Sequence, residues 1–179
     1  MKKSVYWGLG VFLLVLSIFA DNYIIGFIAA IRNPFLDAAM RGFSSIFSRL
    51  IMFLLLTFLL FYDKSKRRWI VPWWVTYFAS LVAVYIIKLA ISRERPDALA
   101  LIIEDGFSFP SGHAAAAFSS LPIVYRSFKK MKLYWLVYVL LIAFSRIYLG
   151  VHYLSDVIGG ALLGLAVGIL ILKFCTRKN

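Results

Sequence analysis

The chain has 179 residues, 63% of them hydrophobic and only 16% charged, with a mean hydropathy of +0.87. So few polar residues cannot cover the surface of a soluble domain of this size, which excludes a water-soluble globular protein. The formal net charge of +12 suits an anionic membrane surface as well as a nucleic acid, and its distribution along the chain decides between them.

A helix crossing the hydrocarbon core needs about 20 apolar residues. Six such spans are predicted, at about residues 5–30, 44–62, 69–91, 110–125, 133–149 and 153–174. The fold class expected is all-α: a polytopic six-helix bundle forming a single integral membrane domain over 1–179. The opening Met1-Lys2-Lys3 and the apolar stretch to Ala20 resemble a secretory signal peptide. Ile18, however, stands where cleavage before residue 21 would need a small side chain, and apolar sequence resumes over residues 23–31. The first span is therefore expected to stay in place. Asn33-Pro34 then breaks the chain. Residues 35–47 put Leu36, Met40, Phe43 and Phe47 on one helical face with Arg41 on the other, the pattern of a short interfacial helix. Spans four and five are short. The outer loop 92–109 carries an apolar run, 98–103, expected to lie along the membrane surface. Gly160, Gly164 and Gly168 recur every fourth residue in the last span, a close-packing stripe assigned to packing within the bundle. The single cysteine, Cys175, permits neither an internal disulfide nor a thiolate metal site.

In a six-span topology, Lys2, Lys3, Lys64, Lys66, Arg67, Arg68, Arg126, Lys129, Lys130, Lys132, Lys173, Arg177 and Lys178 all fall on one side, with Asp63 the one acid there. The other side has equal numbers of bases and acids. The positive-inside rule makes the basic side cytoplasmic, with both termini. All five tryptophans (Trp7, Trp69, Trp73, Trp74 and Trp135) fall near that face, as interfacial anchors should. Topology and anionic lipid thus account for the charge, and no nucleic-acid partner is expected.

Three clusters break the apolar pattern, all on the outer side: residues 88–96 (KLAISRERP), 110–113 (PSGH) and 145–156 (SRIYLGVHYLSD). Singly, Lys88 could snorkel, Arg146 could be a helix-end charge and His113 a cap. Together they bring both histidines of the chain to one face with Lys88, Arg93, Arg95 and Arg146, a basic pocket that suits an anion. In PSGH, Pro110 suits the first turn of a helix. Ser111 and Gly112 would leave free amides at a helix N-terminus, a phosphate seat, with His113 beside it as a proton donor. His152 and Asp156 are four apart and share a helical face. A carboxylate on Nδ1 fixes the tautomer and leaves Nε2 free as a nucleophile or a metal ligand. Two histidines amid basic residues make a poor metal site, so no metal or other cofactor is expected.

Read as Lys88…Arg95-Pro96, Pro110-Ser111-Gly112-His113 and Ser145-Arg146…His152…Asp156, these clusters resemble the three signature motifs of the type-2 phosphatidic acid phosphatase family, in order and at every specified position. The resemblance implies a six-helix membrane bundle that hydrolyses phosphate esters without metal. By matching position, His152 would be the nucleophile, Asp156 its orienting carboxylate and His113 the acid and then base. Lys88, Arg95, Arg146, Ser111 and the Gly112 amide would hold the phosphoryl oxygens. Arg93 falls in the variable stretch of its motif; Glu104 and Asp105 match nothing and are expected to be solvated. The expected protein is a bacterial inner-membrane lipid phosphatase facing the periplasm or cell exterior. Its partners are the membrane and a lipid phosphate: undecaprenyl diphosphate, phosphatidylglycerophosphate, lipid A 1-phosphate or phosphatidic acid. The rival is a non-catalytic lipid-phosphate carrier or scramblase, which needs the cations but not two histidines and a carboxylate. The sequence sets no oligomeric state.

Overall fold

The computed structural model of the protein describes residues 2–96 and 99–177. Lys178 of the basic set, Asp97 of the outer acids and Ala98 of the apolar run lie outside them. Every regular element among the described residues is helical: α1 (Lys2–Ala30), α2 (Pro34–Ser44), α3 (Ile46–Tyr62), α4 (Ile70–Ile91), α5 (Gly112–Ser119), α6 (Leu121–Ser127), α7 (Lys132–Tyr148) and α8 (Leu154–Arg177). Short 3₁₀ turns, Lys64–Trp69 and Lys129–Met131, lead into α4 and α7. Four helical segments are long and apolar enough to cross a membrane: Val5–Ala30, Lys64–Ile91, Lys129–Tyr148 and Leu154–Arg177. A fifth follows if α2 and α3, bent by 54° at their junction, count as one span.

Local chemistry explains each break. Asn33 caps α2 by accepting from the Leu36 amide, with Pro34 in the first turn where its missing N–H costs nothing. Ser45 is extended, ends α2, and caps α3 by accepting from the Ser48 amide. The predicted face over 35–47 is therefore cut: Leu36, Met40 and Phe43 pack inward, while Phe47 lies beyond the break and is exposed. The predicted fourth span is likewise divided at Ser120, with Pro122 in the first turn of α6. Neither half, of 8 and 7 residues, is long enough to cross a bilayer by itself.

Helix α8 packs most extensively on α5, and also on α1 and α4. Its glycines make this contact. A Cβ would stand 2.4 Å from the Ser111 carbonyl oxygen at Gly160, 2.2 Å from that of Ala115 at Gly164 and 2.7 Å from that of Ser119 at Gly168. Ala114 to Ala117, all fully buried, let the backbones close to this distance. The stripe is used inside the bundle.

The polarity is that of a protein dissolved in lipid. Large side chains such as Phe19, Phe58, Val71 and Leu133 are exposed, while Asp21, Arg146, His152 and Asp156 are buried. In the apolar run of the outer loop, Ala100, Leu101 and Ile102 pack against the protein while Leu99 and Ile103 are exposed, because Leu101 pairs its amide with the Leu149 carbonyl and Arg41 donates to the Leu101 carbonyl.

Candidate active site

The three polar clusters converge at one end of the bundle, where α4 and α7 finish and α5 and α8 begin, around a cavity of about 460 Å³ whose lining includes Lys88, Arg95, Gly112, His113 and His152. His152 lies in the connection between α7 and α8, held by its own amide donating to the Arg146 carbonyl at 3.3 Å. Its Nδ1 stands 3.5 Å from Asp156 Oδ2. Asp156, in the first turn of α8, is anchored on both oxygens: Oδ2 accepts from the Tyr153 amide at 2.9 Å and Oδ1 from Arg93 Nη1 at 2.7 Å. Nε2 of His152 looks the other way, 3.3 Å from Arg95 Nη1. Burial, reinforced by Arg146, Arg95 and Lys88, holds the His152 imidazole well below its usual range. It is therefore neutral near pH 7, with Nε2 facing the cations and Nδ1 beside Asp156 but making no hydrogen bond among the described residues.

His113 is buried on α5, and its Nε2 has no hydrogen-bond partner. Arg95, 5% exposed, donates to the carbonyls of Val151, Asp105 and Gly106. Arg146, 1% exposed, reaches Ser44 of α2 through Nη1. Lys88 donates to the Phe107 carbonyl and, at 3.5 Å, to that of Ser108.

Four details differ from the sequence-based picture. Pro110 precedes α5 instead of opening it, and Ser111 is the cap, its Oγ accepting from the Ala114 amide at 3.4 Å. The Ser111 amide is not free but donates to the Asp156 carbonyl at 2.9 Å, which ties the PSGH turn to α8. Arg93 bridges Asp156 to Asp21 of α1, donating to Asp21 Oδ2 at 2.8 Å and to Ser155 Oγ at 2.6 Å. Asp21 also accepts from the Ser155 amide at 2.9 Å. This clamp was missed, although an acid inside an otherwise apolar span was its signal. Finally, Glu104 is not a free loop carboxylate but a paired, partly exposed one. Its Oε2 accepts from Arg95 at 3.0 Å and from Arg146, and stands 3.9 Å from His152 Nε2. A carboxylate oxygen of the chain thus occupies the point where the two guanidiniums converge.

The arrangement can transfer a phosphoryl group: a neutral imidazole backed by a carboxylate, two buried guanidiniums converging where charge would develop, and a second imidazole across the cavity. Among the described residues no group of three His, Cys, Asp or Glu side chains could hold a metal ion.

Residues 69–179 match the PAP2 superfamily, and the chain belongs to that family. It is 30% identical over 170 residues to phosphatidylglycerophosphatase B of Bacillus subtilis, covering 87% of this chain and 83% of that protein. It is 34% identical over 149 residues to decaprenylphosphoryl-5-phosphoribose phosphatase of Mycobacterium tuberculosis, covering 80% and 82%. The crystal structure of a transmembrane PAP2-type phosphatidylglycerolphosphate phosphatase from Bacillus subtilis superposes with a TM-score of 0.83 at 27% identity, covering 100% of this chain and 98% of that one.

Proposed function

We propose that this protein is an integral membrane phosphatase that removes the terminal phosphate of lipid mono- and diphosphates, without a metal, through a phosphohistidine at His152. The lone pair of Nε2 attacks phosphorus. The bond to the leaving oxygen breaks with its electrons, and that oxygen takes a proton from His113. Water then attacks the phosphohistidine and gives a proton to His113, and the N–P electrons return to Nε2 as orthophosphate departs. Asp156 steadies the ring, and Arg95, Arg146, Lys88, Ser111 and the Gly112 amide hold the phosphoryl oxygens. The observation that carries this reading is the position of Nε2, 3.3 Å from Arg95 and beside the carboxylate that Arg95 and Arg146 share, with Asp156 behind Nδ1.

In the membrane, α5 and α6 together form the fourth of six spans, and α2 is an interfacial helix. Both termini are cytoplasmic, and the site faces the periplasm or exterior of a bacterial cell. No separate outer domain among the described residues could read a complex headgroup, so selection falls on a terminal phosphate attached to a membrane anchor. The relatives' names fit such breadth, one referring to a glycerophospholipid and the other to a polyprenyl chain. Undecaprenyl diphosphate and phosphatidylglycerophosphate are the expected substrates, followed by lipid A 1-phosphate and phosphatidic acid.

The test uses purified protein in detergent with EDTA and a panel of these lipids. Wild type is expected to release orthophosphate from several of them and His152→Ala from none, with Asp156→Asn severely slowed. Substantial turnover by His152→Ala sinks the covalent route. Recovery only on adding a divalent ion sinks metal independence, and turnover of a single lipid sinks the claim of breadth.

A further inference from the structure

One cation of the cavity belongs to none of the three motifs. Arg49, in the first turn of α3, lines the cavity together with His113, Lys88, Arg95 and His152. Its Nε is buried with no hydrogen-bond partner, and among the described residues no carboxylate pairs with it. The other cations in and around the site are engaged: Lys88 with the Phe107 carbonyl, Arg95 and Arg146 with Glu104, and Arg93 with Asp21 and Asp156. A half-buried guanidinium without an anion is costly. Its complement is one that a ligand brings.

The position says which. Arg49 shares the cavity wall with His113, the residue assigned to the leaving oxygen. The same cavity is walled by Leu81, Val84, Tyr85 and Leu89 of α4. Tyr85 and Leu89 are exposed on the outside of the bundle, where a lipid anchor would lie. One cavity thus holds Arg49, the transfer residues and the α4 wall that faces the lipid. In a monoester the leaving oxygen there is joined to carbon. In a diphosphate it is joined to a second, negatively charged phosphate. We propose that Arg49 binds the inner phosphate of a lipid diphosphate and gives this site a preference for diphosphates over monophosphates on the same anchor. The proposal rests on the phosphatase reading above and adds a determinant of specificity to it. As the P–O bond to the bridging oxygen breaks, the lipid monophosphate formed gains charge, which a fixed guanidinium stabilises.

The experiment compares kcat/KM on farnesyl diphosphate and farnesyl monophosphate for wild type, Arg49→Gln and Arg49→Lys, with melting curves to verify the fold. Arg49→Gln is expected to lower the diphosphate-to-monophosphate ratio by about tenfold or more, and Arg49→Lys to restore part of it. An unchanged ratio overturns the proposal, whatever the absolute rates. A binding arm needs no turnover. Wild type should hold inorganic diphosphate about tenfold more tightly than orthophosphate, and Arg49→Gln should abolish that difference. Equal binding of the two anions by wild type also overturns the proposal. Failure of wild type to hydrolyse any lipid phosphate defeats the phosphatase reading instead, and the binding arm still decides the role of Arg49.

Discussion

Glu104 Oε2, shared between Arg95 and Arg146 and 3.9 Å from His152 Nε2, occupies the seat that a phosphoryl oxygen needs under the proposed mechanism. An incoming phosphate must displace it, and the loop that carries it must give way. Neutralising this residue removes a competing anion without removing either guanidinium. Glu104→Gln is therefore expected to bind orthophosphate more tightly, by about fivefold if the displaced pair is worth about 1 kcal/mol, measured as a lower inhibition constant for the product. Weaker binding would mean that Glu104 holds the arginines in position instead. Sequence order did not reveal this residue. Nothing in a loop glutamate distinguishes a solvated side chain from one folded back over two buried cations, because that depends on the path of residues 99–109.

At the scale of elements, the contact of α5 with α8 sets the site. It brings the cap of α5, Ser111, onto the carbonyl of Asp156 and so fixes the PSGH turn relative to the carboxylate behind His152. Gly164 is the tightest point of this contact. Its missing Cβ would meet three backbone atoms, Ala115 O at 2.2 Å, Ala115 C at 2.9 Å and Ser119 N at 3.0 Å, and none of them can yield as a flexible side chain would. Gly164→Ala is expected to cost about 1–3 kcal/mol, seen as a lower melting temperature in detergent, together with loss of turnover as the helices separate. Gly26→Ala in α1, with nothing within 4 Å of its Cβ, is the control and should leave both intact. A Gly164→Ala protein as stable as wild type would show that the helices do not approach so closely.

For the whole molecule, the proposed orientation in the membrane rests on the charge asymmetry. The cavity and the bare Ile103 lie on the side opposite the basic turns Lys64–Trp69 and Lys129–Met131. With Cys175 the only native thiol, a Cys175→Ser background isolates an introduced cysteine. Ile103→Cys, at a position 98% exposed, should be labelled in intact cells by a membrane-impermeant maleimide, and native Cys175 only after permeabilisation. The opposite pattern would invert the topology and move the substrate to the inner leaflet.

Composition and apolar runs by themselves determined that the protein is helical and membrane-embedded, because a lipid solvent forces long uninterrupted apolar helices. The spacing of His152 and Asp156 announced that the two would be neighbours, but not by a shared helical face: His152 precedes α8, and the turn before that helix brings its Nδ1 to 3.5 Å from Asp156 Oδ2. Motif order identified Lys88, Arg95, His113 and Arg146 as one constellation before any coordinates. Tertiary structure alone decided the rest. The approach of α1 to α8 turned Asp21 and Arg93 into a clamp on Asp156. The return of the outer loop placed Glu104 between Arg95 and Arg146, and the bend after α2 set Arg49 into the cavity wall. Each of these joins residues far apart in the chain, through contacts whose energy depends on how helices pack and which buried charges find a partner. Periodicity and composition carry no record of such pairings, so only the folded arrangement could supply them.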